Sequence, residues 1–183
     1  MKERFIMFTV SDVIAAYTED MTAVLENKKD SNRTKKAQRD RIIIQMLRTL
    51  PEDMLLSCEG TAIDPAKLNA GSVAEIALRF HFTHCPEDTV IMEKSGGVVD
   101  LSYKNGRGVE VKLCLNGSCY NTPIMQPMTV YLITPSGVFF IPKKPLEEML
   151  EISSKLPYKE DVLLEYEGVR KLKTLSKALG FEV

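Results

Sequence analysis

Three charged residues lie close to one another in the second half of the sequence, in a stretch that is otherwise rich in apolar residues: Asp100, Glu110 and Lys112. Glu110 and Lys112 are separated by one residue, so on a β-strand their side chains point to the same face. Two neighbouring carboxylates repel each other, and a hard divalent cation with oxygen ligands relieves that repulsion. Such a cation polarises a phosphodiester and activates water, while a lysine orients the water or stabilises charge on the phosphate. These residue types therefore indicate metal-dependent phosphodiester hydrolysis.

A β-hairpin is needed to bring the three residues together, and the surrounding sequence has the pattern of one. Residues 97–103 and 108–115 each alternate between apolar and polar side chains, which is typical of strands. The Asn105-Gly106 pair between them is a strong signal for a tight turn. A hairpin folded at this turn places Asp100 near the other acid and the amine.

The motif on this hairpin resembles that of a known family. Val99-Asp100, followed after a spacer by Glu110-Val111-Lys112, resembles the motif of the PD-(D/E)XK nuclease superfamily, which includes restriction endonucleases and Holliday junction resolvases. The proline of the family motif is Val99 here. The family places a helix with an acidic residue before the hairpin, and the segment 71–75, ending in Glu75, resembles that helix. The resemblance covers residues 70–133.

The resemblance implies roles for individual residues. Asp100 and Glu110 would bind Mg²⁺ or Mn²⁺ together with the Val111 carbonyl, and Glu75 would contribute through water. Lys112 would be the catalytic lysine. The implied activity is that of a Mg²⁺-dependent endodeoxyribonuclease acting on DNA, with a restriction endonuclease-like core, and a homodimer is one assembly that the family allows.

Other interpretations of the same residues remain open. Glu110 and Lys112 could form the solvent face of an edge strand, because antiparallel sheets often alternate in this way, and Asp100 would then be a surface residue near a turn. The chain could also be a non-catalytic nucleic-acid-binding protein on a nuclease-like scaffold, since fold does not determine function. A third interpretation is a helix-rich regulator whose basic N-terminal segment binds DNA.

A basic segment, residues 28–41, and a polar loop, residues 115–127, are the candidate nucleic-acid contacts. Lysine and arginine bind phosphates and release counterions, which predicts DNA contacts from Arg33, Lys35, Lys36 and Arg39. The alternative is a solvated helix face. The loop directly follows the lysine-bearing strand, and we predict that its Asn116 and Ser118 bind nucleic acid; the alternative is an ordinary connection.

Cysteine content and hydropathy favour a cytoplasmic protein. The first ten residues are interrupted by Glu3 and Arg4, and no long apolar region follows, so no secretory signal is predicted. The four cysteines are therefore expected to be free thiols. No run approaches the roughly 20 apolar residues that a membrane span requires. A zinc site is an alternative to free thiols, although its candidate ligands lack the tight, repeated pairs that are typical of zinc sites. These candidates are His81, His84, Cys85, Cys114 and Cys119.

Helices are predicted on both sides of the strands. Apolar spacing predicts helices over residues 11–27, 32–50 and 65–82, with Ser11 as the N-cap of the first. A second hairpin is expected over residues 129–141. Helices are again expected over residues 145–156 and 160–179, although Gly168 weakens the last of these.

This order of elements predicts an α/β (α+β) fold with a small mixed, largely antiparallel sheet flanked by helices. Residues 1–63 are predicted to form an N-terminal helical extension. They would pack on a nuclease-like α/β core, residues 64–183, to give one structural domain.

Overall fold

The computed structural model of the chain describes residues 6–58, 70–82, 90–92, 101–103, 108–115 and 127–182. The described strands and helices confirm the predicted mixed α/β class. In chain order they are β1 (Ile6–Thr9), α1 (Val10–Glu26), α2 (Arg33–Leu47), β2 (Leu55–Cys58), α3 (Ala70–Phe82), β3 (Val90–Met92), β4 (Leu101–Tyr103), β5 (Gly108–Leu113), β6 (Thr129–Thr134), β7 (Gly137–Ile141), α4 (Leu146–Ser153), α5 (Glu160–Leu163), β8 (Arg170–Lys171) and α6 (Lys173–Ala178).

The chain divides into two compact units, Met1–Ala77 and Leu78–Val183. The predicted boundary between residues 63 and 64 lies outside the described residues. The predicted packing of an N-terminal extension on the core, as one domain, therefore stays a prediction.

In the first unit, α1 begins at a capping box. Thr9 accepts a hydrogen bond from the Asp12 backbone N–H, and the Asp12 side chain accepts one from the Thr9 backbone N–H. The predicted helix is confirmed, but Ser11 is not its N-cap. The N-cap is Thr9, two residues earlier, because Thr9 and Asp12 together satisfy two free N–H groups at the helix start. Val13 and Tyr17 are buried on its inner face.

The helix α2 supplies much of the apolar core of this unit. It contributes Ile42, Ile43, Ile44, Met46 and Leu47, all buried. The helix ends at Leu47 and does not continue to residue 50 as predicted. Turn residues follow it before Pro51. Of the third predicted helix, residues 70–82 are described and form α3, which confirms a helix there. Its predicted start lies outside the described residues, and so do the residues that follow Phe82.

The second unit contains a mixed sheet. The strands described there pair in the order β3-β4-β5-β6-β7-β8. The pair β5-β6 is parallel and every other described pair of this sheet is antiparallel, which confirms the predicted largely antiparallel arrangement. The predicted second hairpin is β6-β7, which turns at Pro135-Ser136.

The C-terminal segment differs from the prediction. Instead of one helix over residues 160–179, the chain forms the short helix α5, the strand β8 and the helix α6. Gly168 has a φ of +77°, a left-handed conformation that interrupts a right-handed helix and that glycine adopts without strain. After it, Arg170 and Lys171 pair with β7, so backbone groups that a helix would have used are hydrogen-bonded within the sheet instead.

Candidate active site

The strand β5 carries both Glu110 and Lys112 and lies between β4 and β6 in the sheet. Glu110 pairs with Val130 of β6, and Lys112 pairs with Leu132. The strand β5 has β4 beside Gly108 and Val109 and β6 along Val109–Leu113, so it is not an edge strand where both pairings are described. The chain that would lie beside Glu110 and Lys112 on the β4 side is outside the described residues, so the alternative for these two side chains stays open.

Glu110 and Lys112 share a face of β5, as predicted, and form an ion pair. Lys112 Nζ lies 3.1 Å from Glu110 Oε1. The side chains are mostly covered, with exposed fractions of 13% for Lys112 and 22% for Glu110. The strand pleat orients two side chains that are two residues apart to the same side, which brings the ammonium within reach of the carboxylate.

The residues around this ion pair on the same face of the sheet are apolar. Val130 and Leu132, the partners of the two charged residues on β6, are fully buried in the core of the unit. Cys114, two residues beyond Lys112, belongs to the same core and has no exposed surface. Moving a charged group to the margin of such a core is costly unless an opposite charge compensates it. Each member of the pair therefore makes the burial of the other tolerable.

The predicted hairpin that would bring Asp100 to this pair is described only in part, and the described part has the predicted antiparallel pairing. The strands β4 and β5 are antiparallel, with Leu101 opposite Val109 and Ser102 opposite Gly108. Asp100 and the Asn105-Gly106 turn lie outside the described residues. The approach of Asp100 to Glu110 therefore stays a prediction from the sequence.

The remaining residues of the predicted site lie on two elements. Val111 is half-buried in β5 and pairs with Tyr131. Glu75 is half-buried in α3 and belongs to the unit Met1–Ala77, whereas the ion pair belongs to the other unit. The structure confirms the helical setting of Glu75, and its convergence with the hairpin stays a prediction.

The donor set for a cation is incomplete in the described part of the chain. No group of three or more His, Cys, Asp or Glu side chains that could hold a metal occurs among the residues whose placement is described. Glu110 supplies one carboxylate of the kind that Mg²⁺ prefers, and Val111 supplies a carbonyl. A second carboxylate would have to come from Asp100. Of the zinc candidates, His81 and Cys114 are described, and the other three lie outside the described residues.

The predicted DNA-binding residues of α2 differ in their availability. Lys36 pairs with Asp30, and this hydrogen bond lowers the pKa of the Asp30 carboxyl. Arg39 donates to Asp40 Oδ1 from Nε at 3.2 Å and from Nη2 at 3.1 Å. Lys35 is exposed. Two of the four predicted cations are thus held by carboxylates of the same unit.

The structure says less about the remaining predicted nucleic-acid contacts. Arg33, the first residue of α2, is half-buried. Asn116 and Ser118 of the polar loop lie outside the described residues. The two acids that hold the α2 cations were not recognised in the sequence, although an acid next to Arg39 was a visible signal for one of the pairs.

No family model, curated protein or solved structure matches this chain. In the part of the chain that the structure describes, none of the helices has the length and apolar character that crossing a bilayer requires. Function is therefore inferred from the geometry of the site and from the chemistry of its residues.

Proposed function

We propose that this chain is a Mg²⁺-dependent nuclease that hydrolyses phosphodiester bonds in DNA. The observation that carries the proposal is the ion pair between Glu110 and Lys112. It is mostly covered, lies on an inner strand of the sheet, and borders an apolar core. A charged pair at such a place gives less stability than apolar side chains of similar size would, so its presence is best explained by chemistry.

In this proposal the residues have separate roles. Glu110 and Asp100, with the Val111 carbonyl, hold the cation. The cation would supply Lewis-acid polarisation of the scissile phosphate. The ammonium of Lys112 is positioned by Glu110 and stabilises negative charge that develops on the phosphate oxygens. Lys35, which is exposed, is the main contact to the DNA backbone, and Arg33, Lys36 and Arg39 on the same helix add weaker contacts because Asp30 and Asp40 hold the last two. The proposal retains the cytoplasmic location and allows a homodimer.

A second candidate is DNA binding without catalysis. One observation favours it: Glu110 and Lys112 already neutralise each other at 3.1 Å, so this pair needs no cation to be stable. Catalysis requires the additional charge of Asp100, whereas binding through α2 requires only its exposed cations. The two candidates differ in whether the hairpin residues affect turnover.

A plasmid-nicking assay separates the two candidates. The protein is incubated with supercoiled DNA and Mg²⁺, Mn²⁺ or EDTA, and the rates are compared with those of Lys112→Met, Glu110→Gln and Asp100→Asn. Loss of one transition-state stabiliser is expected to slow nicking by roughly 10²–10³-fold. The chain offers a matched control in Lys171→Met, because Lys171 forms an ion pair with Glu160, 3.4 Å away, in the same unit. We expect this control to nick like the wild type.

Two outcomes decide against catalysis. If the purified chain binds DNA but nicks it at the same slow rate with EDTA as with Mg²⁺, the binding candidate is preferred. If Lys112→Met nicks as fast as Lys171→Met, the hairpin is not the active site.

The DNA contacts are tested by the salt dependence of affinity. Lys35→Glu should weaken binding more than Lys36→Glu, because Lys35 is exposed while Lys36 is held by Asp30. Each lost phosphate contact should reduce the slope of log affinity against log salt by roughly 0.9. Unchanged affinity and an unchanged slope in Lys35→Glu would show that α2 does not contact the phosphates. Equal losses of affinity from both substitutions would show that Asp30 does not keep Lys36 from the DNA.

A further inference from the structure

The helices α1 and α2 form a hairpin in which two aspartates face each other. The connection between them, residues 27–32, is short, and the helices pack together, which makes them antiparallel neighbours. Asp20 on α1 and Asp40 on α2 lie at equal distances along the chain from Asp30 in that connection. Equal spacing from the turn of an antiparallel hairpin places two residues at the same level. The Asp40 carboxyl has Asp20 as a hydrogen-bonding neighbour, in agreement with this geometry.

Asp40 occupies a position of α2 that an apolar residue would normally fill. It lies between Ala37 and Ile44 on the stripe of α2 that is buried, and it has no exposed surface. Arg39 donates both of its hydrogen bonds to Oδ1 of this carboxyl. The other oxygen, Oδ2, is buried and has no hydrogen-bond donor. An unsatisfied buried oxygen of this kind costs stability unless something occupies the space beside it.

Two carboxylates offer only acceptors to each other, so Asp20 and Asp40 can form a hydrogen bond only when one of them carries a proton. We propose that Asp20 and Asp40 share one proton between α1 and α2, and that this proton makes the helical hairpin a pH-sensitive element. Protonation supplies the donor that the buried oxygen lacks and removes the repulsion between the two acids. This inference does not depend on the proposed nuclease activity.

The titration of Asp40 supports the geometric argument. Burial, followed by the hydrogen bond with Asp20, raises the pKa of Asp40 from 3.8 to about 6, although the Arg39 guanidinium acts in the opposite direction. Among the residues whose placement is described, the charged groups that face this carboxyl are Asp20 from α1 and Arg39 from α2 itself. Because the folded form binds the proton more tightly than the unfolded chain, stability should fall as pH rises from about 4 to about 6 and then level off.

The test compares the pH dependence of unfolding in wild type and variants. Asp40→Asn keeps the shape of the side chain, and its amide can donate to Asp20 while its oxygen still accepts from Arg39. We expect this variant to be more stable than wild type at pH 7.5, which is opposite to the usual effect of changing a buried polar residue. Relative to the variant, the unfolding constant of wild type should rise by up to about 100-fold between pH 4 and pH 7. Urea unfolding followed by circular dichroism measures both effects.

Two further variants keep the result interpretable. Asp20→Asn also supplies a donor to the buried oxygen, so it should reduce the pH dependence even if Asp40→Asn folds poorly. Part of the dependence should remain, because Asp40 is still buried in this variant. Glu19→Gln removes an exposed carboxylate adjacent to Asp20 and should leave the wild-type profile unchanged. Carbon-13 NMR of the side-chain carboxyls should show Asp40 titrating near pH 6 in wild type and at lower pH in Asp20→Asn.

The proposal is overturned by any of three results. The first is a set of parallel stability profiles for wild type, Asp40→Asn and Asp20→Asn. The second is an NMR titration of Asp40 below pH 5. The third is stabilisation of wild type, but not of Asp40→Asn, by Mg²⁺ or Ca²⁺ at pH 7.5, which would mean that the two acids hold a cation instead of a proton.

Discussion

Replacing Lys112 with methionine tests whether the ion pair on β5 behaves as a partly buried pair beside the apolar core or as a solvated surface pair. Methionine keeps a long, unbranched side chain but removes the charge. It leaves Glu110, whose side chain is 22% exposed in the wild type, without its cation. Exposed ion pairs contribute about 0.2–1 kcal/mol, whereas breaking a buried pair costs about 3–5 kcal/mol. This pair lies between the two limits, so Lys112→Met should lower the free energy of unfolding by about 1–3 kcal/mol.

A double-mutant cycle isolates the interaction itself. Glu110→Gln removes the other charge, and in the double variant neither charge is left unpaired. We expect a coupling energy of about 1 kcal/mol or more from urea unfolding, above the roughly 0.5 kcal/mol within which independent sites are additive. The control cycle uses Lys171 and Glu160, whose glutamate is 42% exposed and whose coupling should fall below about 0.5 kcal/mol.

The same double-mutant cycle can be measured in the presence of Mg²⁺. If Glu110 binds the cation, Mg²⁺ should stabilise wild type and reduce the coupling between the two charges, because the carboxylate then has another positive partner. Additive effects of the two substitutions, with or without Mg²⁺, would refute the argument that each charge makes the burial of the other tolerable.

Three other substitutions test the elements that support the site and the first unit. Thr9→Ala removes the capping box that joins Thr9 and Asp12, and urea unfolding should show a loss of about 1 kcal/mol. Gly137→Ala places a Cβ 2.8 Å from Ser176 Oγ at a φ of +132°, and thermal unfolding should show a loss of about 1–3 kcal/mol. Leu132→Ala removes a fully buried side chain opposite the ion-paired lysine, and a loss of about 2–5 kcal/mol is expected in urea.

The local parts of the fold were predictable because their signals are local. The alternation of residues 108–115 depends only on the strand pleat, so it predicted β5 and the shared face of Glu110 and Lys112. The spacing of apolar residues likewise predicted α1. The C-terminal region was predicted wrongly because residues 160–179 contain enough helix-forming residues to resemble one helix, whereas the left-handed Gly168 and the pairing of β8 with β7 determine the outcome.

The surroundings of the site were less accessible to sequence reasoning. The position of β5 inside the sheet depends on its pairing with β6, a later segment of the chain. The alternation of residues within β5 does not indicate which strands pair with it. The burial of Asp40 was visible as a carboxylate on an apolar helical stripe, but the basic residues beside it suggested a DNA-binding surface instead. The sequence pattern therefore predicts where the charges lie along the chain, whereas their burial and their partners depend on the tertiary structure.

The parallel pairing of β5 with β6 has a consequence for the order in which the sheet can assemble. The hairpin of β6 and β7 closes over the two-residue connection Pro135-Ser136, so it can form early from chain segments that are already neighbours. Joining β5 to β6 instead closes the loop of residues 114–128 and carries a larger entropic penalty. The charged strand should thus dock onto a preformed apolar hairpin, and the ammonium and carboxylate keep their hydration shells until that late step.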